Sequence, residues 1–266
     1  MVQSLIDSIH FSVIVPTCNR PELLSHCLEK LLHQQDFRRE QYEIIVSDDS
    51  RDFQTQHLIS RRFPSVRWIQ GPRRGPASNR NCGAHHARGQ WLVFIDDDCL
   101  PSSTWLSAYD RASRESEPVL EGKTETDVPV PLFYTAPVNT TGGLLWSCNF
   151  AVKRSVFILV GGFDENFRFA HLEDVDLRIR LQQHGYRMAF VPQAVVHHPP
   201  RPFDDDFSIP WLYESEFYFR SKHRISIAKA GLNLRNIFGF HARLIKNSRS
   251  CSDLFRILRR FLFKYG

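Results

Sequence analysis

Residues 91–100 read WLVFIDDDCL, five apolar side chains running without a break into three aspartates. A short unbroken apolar run is the pattern of a strand covered on both faces. In open α/β sheets, ligands sit just beyond the C-terminal ends of such strands. Asp96, Asp97 and Asp98 are therefore expected at the rim of a sheet. Adjacent carboxylates repel one another, and a hard cation with oxygen ligands is the simplest relief. A solvated acidic turn would carry the same residues, so the spacing leaves both readings open.

Upstream, the chain alternates strand and helix. Phe11 to Val15 reads as a strand, with Pro16 to Arg20 as the turn after it. Asn19 is the expected helix N-cap, with Pro21 just inside. Leu23, Leu24, Cys27, Leu28, Leu31 and Leu32 then recur at helical spacing. YEIIVSDDS (residues 42–50) is a second buried strand that again ends in acids, Asp48 and Asp49. Residues 53–62 suggest a short helix, Val66 to Ile69 a third strand, and GPRRGPASNRNCGAHHARG (residues 71–89) a further helix leading into Trp91. This order implies a parallel sheet with helices on both faces. Glycines are missing after the first strand and no GxxxxGK[ST] loop is present, so nucleotide recognition would fall to carboxylates and arginines.

Downstream, Ser102 to Glu115 reads as a helix and Val119 to Gly122 as a strand. Residues 123–141 read as a proline-containing loop and Leu144 to Val152 as another strand. A helical face with Glu173 and Asp174 in its first turn follows; acids are favoured there by the macrodipole alone. PQAVVHHPP (residues 192–200) holds a short strand with His197 and His198.

The chain has 266 residues, is 42% hydrophobic and carries a net charge of +5. That length supports one large domain, or a domain plus an extension. The moderate basicity admits phosphates, nucleic acid or an anionic membrane surface as partners. Six scattered cysteines without a CxxC pair suggest reduced thiols rather than a disulfide framework or zinc site. The first ten residues carry no Lys or Arg, so no secretory signal is read there, and no apolar run reaches membrane-span length. These features favour a cytoplasmic protein.

The ordered motifs SVIVPTCNR (12–20), IIVSDDS (44–50), GPASNRN (75–81), FIDDD (94–98), GGFDENF (161–167) and LEDVDLRIRLQQHGYR (172–187) resemble family 2 of the inverting, nucleotide-sugar-dependent glycosyltransferases. The resemblance implies the GT-A fold, a Rossmann-like α/β architecture with a mostly parallel sheet sandwiched by helices. It implies a catalytic domain over residues 1–205 and a basic helical extension over 206–266. Pro16, Thr17, Asp48 and Asp49 map onto the nucleoside pocket, with Asp49 at the base. Asp96 and Asp98 map onto the DxD motif, for ribose and metal, with Asp97 on the donor side. Arg80 falls near the diphosphate, where a guanidinium suits phosphate; Arg73 and Arg74 read as solvated charges. Asp174 inherits the role of catalytic base, beside Glu173. His198, with His197 second, would complete the shell of a Mn²⁺ or Mg²⁺ ion. Trp146 and Asn149 map to the acceptor side, where a buried structural role for Trp146 reads equally well.

The expected reaction is metal-dependent, inverting transfer of a sugar from a nucleoside-diphosphate donor to a saccharide or lipid-linked acceptor, in cell-surface polysaccharide or glycolipid synthesis. A sugar nucleotidyltransferase would share the fold class but needs a glycine-rich, Arg-containing loop that residues 11–25 lack. A nucleic-acid-binding protein would use the basic C-terminus, yet leaves the aspartate-ended strands unexplained. From Arg220 onward Asp253 is the only acid, and DLFRILRRFLFK (253–264) is amphipathic. Residues 250–266 would either lie on an anionic membrane surface, placing the enzyme peripherally on its inner face, or pack on the domain.

Overall fold

The computed structural model describes residues 9–115, 117–126, 134–202 and 205–224. The chain divides into two compact units, residues 1–218 and 219–266. The expected amphipathic helix at 253–264 and the segment 127–133 of the expected loop lie outside the described residues.

The elements follow the alternation of apolar runs. Strands β1 (Phe11–Thr17), β2 (Tyr42–Asp48), β3 (Arg67–Gln70) and β4 (Trp91–Phe94) are interleaved with helices α1 (Pro21–Leu32), α2 (Gln54–Arg62) and α3 (Pro76–His85). Then come β5 (Leu100–Pro101), α4 (Trp105–Ser113), β6 (Val119–Glu125), β7 (Tyr134–Thr135), β8 (Phe150–Lys153) and α5 (Arg154–Leu159). The helix α6 (Glu173–Gln183), strands β9 (Met188–His197) and β10 (Arg201–Pro202), and helix α7 (Asp205–His223) complete the order. Eight strands form one sheet in the order β3-β2-β1-β4-β8-β6-β9-β5, and β10 pairs with β7 in a separate ribbon.

Strands β1, β2 and β4 are buried at every residue, and the apolar stretches Val13–Val15, Ile44–Val46 and Trp91–Phe94 run on without alternating. One face takes Val13, Val15, Ile44, Val46 and Val93, packed with Leu24, Cys27, Leu28 and Leu31 of α1 and Trp105 and Tyr109 of α4. The other face carries Phe94 stacked on Phe150, with Phe157 and Phe163 closing the cluster. Helix α3 approaches that face through Gly83, where a Cβ would stand 2.5 Å from Ile14 Cγ2.

The sheet is mixed, with β4–β8, β6–β8 and β5–β9 antiparallel beside the parallel β1–β2, β2–β3, β1–β4 and β6–β9 pairs. A purely parallel sheet does not form because the chain re-enters beside β4 without a crossover helix. Residues 144–149, expected in a strand, instead form the turn before β8; Leu145 adopts φ 53°, which no strand residue can hold. Strand β6 runs on to Glu125, so residues 123–125 of the expected loop are sheet. The cap of α1 is Arg20, not Asn19. Asn19 takes a left-handed conformation (φ 56°) and its N–H donates to Ser50 Oγ at 2.7 Å.

Candidate active site

Two strands deliver acids to one rim. At the end of β2, both Asp48 oxygens are engaged: Ser50 N–H donates to Oδ1 (2.9 Å) and Trp68 Nε1–H to Oδ2 (3.1 Å). Asp48 is buried and shapes the turn. Asp49 beside it is half-buried and accepts from the Arg73 N–H at 2.8 Å. Burial raises the Asp49 pKa, opposed by the N–H groups of Arg73 and Gly75. Of the two acids, Asp49 is the one a ligand can reach.

The turn after β4 separates its three aspartates. Asp97 is fully buried, accepting from the Thr17 hydroxyl at 2.6 Å and pairing with Arg20 at 2.7 Å. Burial raises its pKa to about 7 against the pull of Arg20. Asp97 and the Thr17 hydroxyl, expected on the donor, thus face each other inside the protein. Asp96 faces the rim and pairs with Arg80 at 2.7 Å. Burial acts upward on Asp96, but Arg80 and Arg201 outweigh it and hold the pKa at about 2. Asp98 stands among Arg20 (3.3 Å), the Nε2 of His198 (3.6 Å) and the Nε of Arg201.

Arg80 lies across the middle of this site. It is 3% exposed and its second amino group meets Glu173 Oε1 at 3.1 Å. Its guanidinium pairs with carboxylates of β4 and α6. Helix α6 opens with Glu173, Asp174 and Asp176 in its first turn, after Leu172 at φ 69°. Asp174 receives the N–H of Ser147 at 3.2 Å and of Val175 at 2.8 Å. Burial lifts the pKa of both leading acids, Glu173 to about 8 with the Asp174 charge adding to the rise and Arg80 opposing it.

The acceptor-side expectations separate. Trp146 is partly buried against the core, and its Nε1–H donates to Val138 O at 3.3 Å. Asn149 is saturated: Oδ1 accepts from Trp105 Nε1–H and Tyr109 O–H (2.8 Å each), and Nδ2 donates to Lys123 O and Ala194 O. With 1% exposure it binds the sheet together and has no valence for an acceptor. His197, the last residue of β9, lies between β5 and β6 with its Nδ1 3.7 Å from Glu125.

Sequence reasoning missed three residues. Arg20 and Arg201 supply cations to the aspartate turn, and no periodic signal marks an arginine's distant partner. Glu121, buried in β6, accepts from Asn139 Nδ2 (2.7 Å) and from the N–H groups of Gly143 (2.6 Å), Leu144 (2.7 Å) and Leu145. It pins the turn that presents Ser147 to Asp174. A charged residue directly after the apolar Val119 and Leu120 was the available signal.

Residues 12–111 match the model of glycosyl transferase family 2. Over that stretch the chain is similar to glycosyl transferase family 2. Succinoglycan biosynthesis protein ExoM of Rhizobium meliloti is 25% identical over 251 residues, 86% of this chain and 79% of the relative. The GalNAc(5)-diNAcBac-PP-undecaprenol beta-1,3-glucosyltransferase of Campylobacter jejuni is 37% identical over 109 residues, 39% of this chain and 34% of that protein. The crystal structure of S. aureus TarS 1–349 in complex with UDP-GlcNAc superposes with a TM-score of 0.56 at 22% identity, covering 74% of this chain and 60% of that one. This likeness shows the fold, the GT-A fold, with its mixed sheet. Among the described residues no helix is long and apolar enough to cross a membrane.

Proposed function

We propose that this protein is a glycosyltransferase that moves a sugar from a nucleoside-diphosphate donor to an acceptor hydroxyl by a single displacement that inverts the anomeric centre. The observation that carries the reading is the Arg80 bridge, which brings the rim acid Asp96 and the α6 acid Glu173 onto one guanidinium. Donor-side and acceptor-side carboxylates thereby belong to one cleft.

Asp174 is the base. Its two backbone N–H partners hold the carboxylate in one orientation, and burial keeps its proton affinity above that of a solvated aspartate, which suits proton removal from an alcohol. Glu173 is the positioning partner, tied to Arg80. On the donor side we assign Asp49, whose N–H donates to Thr17 O at 2.9 Å, to the base, Pro16 and the backbone of Thr17 to the nucleoside pocket, and Asp96 to the ribose.

Asp98 and His198 fit a divalent cation. The Nδ1 of His198 meets Pro199 O at 2.9 Å, and a carbonyl only accepts, so Nδ1 carries the hydrogen. Arg201 reaches Nε2 at 2.8 Å, and a guanidinium only donates, so Nε2 carries the lone pair a metal needs. The Cys99 thiol beside them is pushed up by burial and stays protonated, which leaves an O and N donor set suited to Mn²⁺ or Mg²⁺. Such an ion, when bound, supplies Lewis-acid stabilisation to the departing diphosphate.

The saccharide and lipid-linked products named for the relatives support a role in polysaccharide or glycolipid synthesis. A screen of nucleoside-diphosphate sugars, scored by diphosphate release with and without Mn²⁺ or Mg²⁺, tests the reaction. Release that depends on one donor, an acceptor and a cation supports it; no release from any donor contradicts it.

A further inference from the structure

We infer that Arg201 competes with the divalent cation for Asp98 and His198, acting as a built-in counter-ion that the metal must displace. The inference rests on the metal-dependent reading above and goes beyond it by assigning a residue that regulates cation entry.

Three contacts carry it. The Nε of Arg201 pairs with Asp98 Oδ2, its terminal amino group donates to His198 Nε2 at 2.8 Å, and the same group lies 4.0 Å from Asp96 Oδ2. One guanidinium thus engages both proposed metal donors and the neighbouring acid. The lone pair at His198 Nε2 serves either Arg201 or a cation, not both, because one lone pair makes one strong directional contact. The Asp98 oxygen that meets Arg201 also meets Arg20 at 3.3 Å, so that carboxylate is compensated before any ion arrives.

Burial indicates which cation yields. The side chains of Asp98 and His198 are each 2% exposed, whereas that of Arg201 is 38% exposed. Arg201 therefore covers the donors from the open side and can swing outward without unpacking the core. Its backbone is held by pairing between β10 and β7, in register Arg201 to Thr135, so the swing belongs to the side chain. Once displaced it remains at the mouth of the site, where its N–H groups suit the oxygens of a diphosphate.

Two roles for Arg201 predict opposite signs. A residue that merely orients Asp98 and His198 would weaken metal binding when removed. A competitor would strengthen it, since its loss frees the His198 lone pair and removes a positive charge next to the ion.

The test is titration of the full chain with Mn²⁺ alone, free metal being read by electron paramagnetic resonance, for wild type, R201Q, R201K and D98N. Folding of each variant is checked by its thermal transition. The expected result is tighter Mn²⁺ binding by R201Q, about tenfold, an intermediate gain for R201K, and loss in D98N. Binding by R201Q equal to or weaker than wild type, with D98N still losing it, overturns the competition and leaves the proposed reaction standing. Unchanged binding in D98N removes the cation from Asp98 and takes this inference with it.

Discussion

Asp96 and Glu173 share one guanidinium, Arg80 reaching the first at 2.7 Å and the second at 3.1 Å. The contact is buried, so the two acids depend on Arg80 for their charge balance. Replacing it with alanine removes the buried partner of both, leaving Asp96 only the more distant Arg201, and is expected to cost about 3–5 kcal/mol of stability. Urea unfolding measures this. The R80K variant keeps a charge but not the two-sided fork, and should recover part of the stability and little of the activity. Wild-type turnover in R80A would show that the bridge does not organise the site.

The raised carboxylates of α6 make activity pH-dependent. Glu173 and Asp174 titrate as a pair, and the base works only when ionised. Burial raises the Asp174 pKa, so the acid limb of kcat/KM is expected above the ordinary carboxylate range. Stability runs the other way. Between the unfolded carboxylate pKa and about 8 the folded protein retains a proton that the unfolded chain releases, so this contribution is present at low pH and lost as pH rises. Rate profiles and melting curves over the same range check both slopes, and E173Q should flatten the second.

Glu121 gathers four donors of residues 139–145 onto one buried carboxylate. Helix α6 grips the same turn through Arg178, which donates to Gly143 O. E121Q replaces an acceptor oxygen by an amide that cannot accept, leaving buried N–H groups unpartnered at about 1–3 kcal/mol each. Because the turn feeds Ser147 to Asp174, kcat should fall more than donor KM rises. Equal changes in both would assign Glu121 to general stability alone.

Asn149 separates packing from acceptor recognition. N149L removes four buried hydrogen bonds at the junction of β6, β8, β9 and α4, and is expected to lower the thermal midpoint markedly. Acceptor KM, measured below the new midpoint, should stay near wild type. A rise in acceptor KM without loss of stability would return Asn149 to the acceptor site.

The parts of this protein legible in its sequence are those written in neighbouring residues. Apolar runs at 13–15, 44–46 and 91–95 marked strands buried on both faces, and the acids after two of them marked the rim. Helices α1 and α6 followed from spacing and from first-turn acids. What escaped reading depends on partners far apart in the chain. The left-handed Leu145 turns residues 142–149 out of a strand because Glu121, in another strand, captures their N–H groups. Asn149, in a stretch that pattern assigns to sheet, is claimed by Trp105, Tyr109 and two carbonyls. Arg20 and Arg201 carry no local mark of the aspartates they serve.

In the proposed reaction the β4 acids and the α6 acid divide the work between them. Calorimetric binding of the nucleoside diphosphate with Mn²⁺ and the rate of sugar transfer, both measured in D174N and D98N, test this division. D174N is expected to bind the diphosphate nearly as wild type while transfer falls by about 10²–10⁴, and D98N is expected to lose both. Transfer at wild-type rate by D174N, or unaltered metal-dependent binding by D98N, would contradict it.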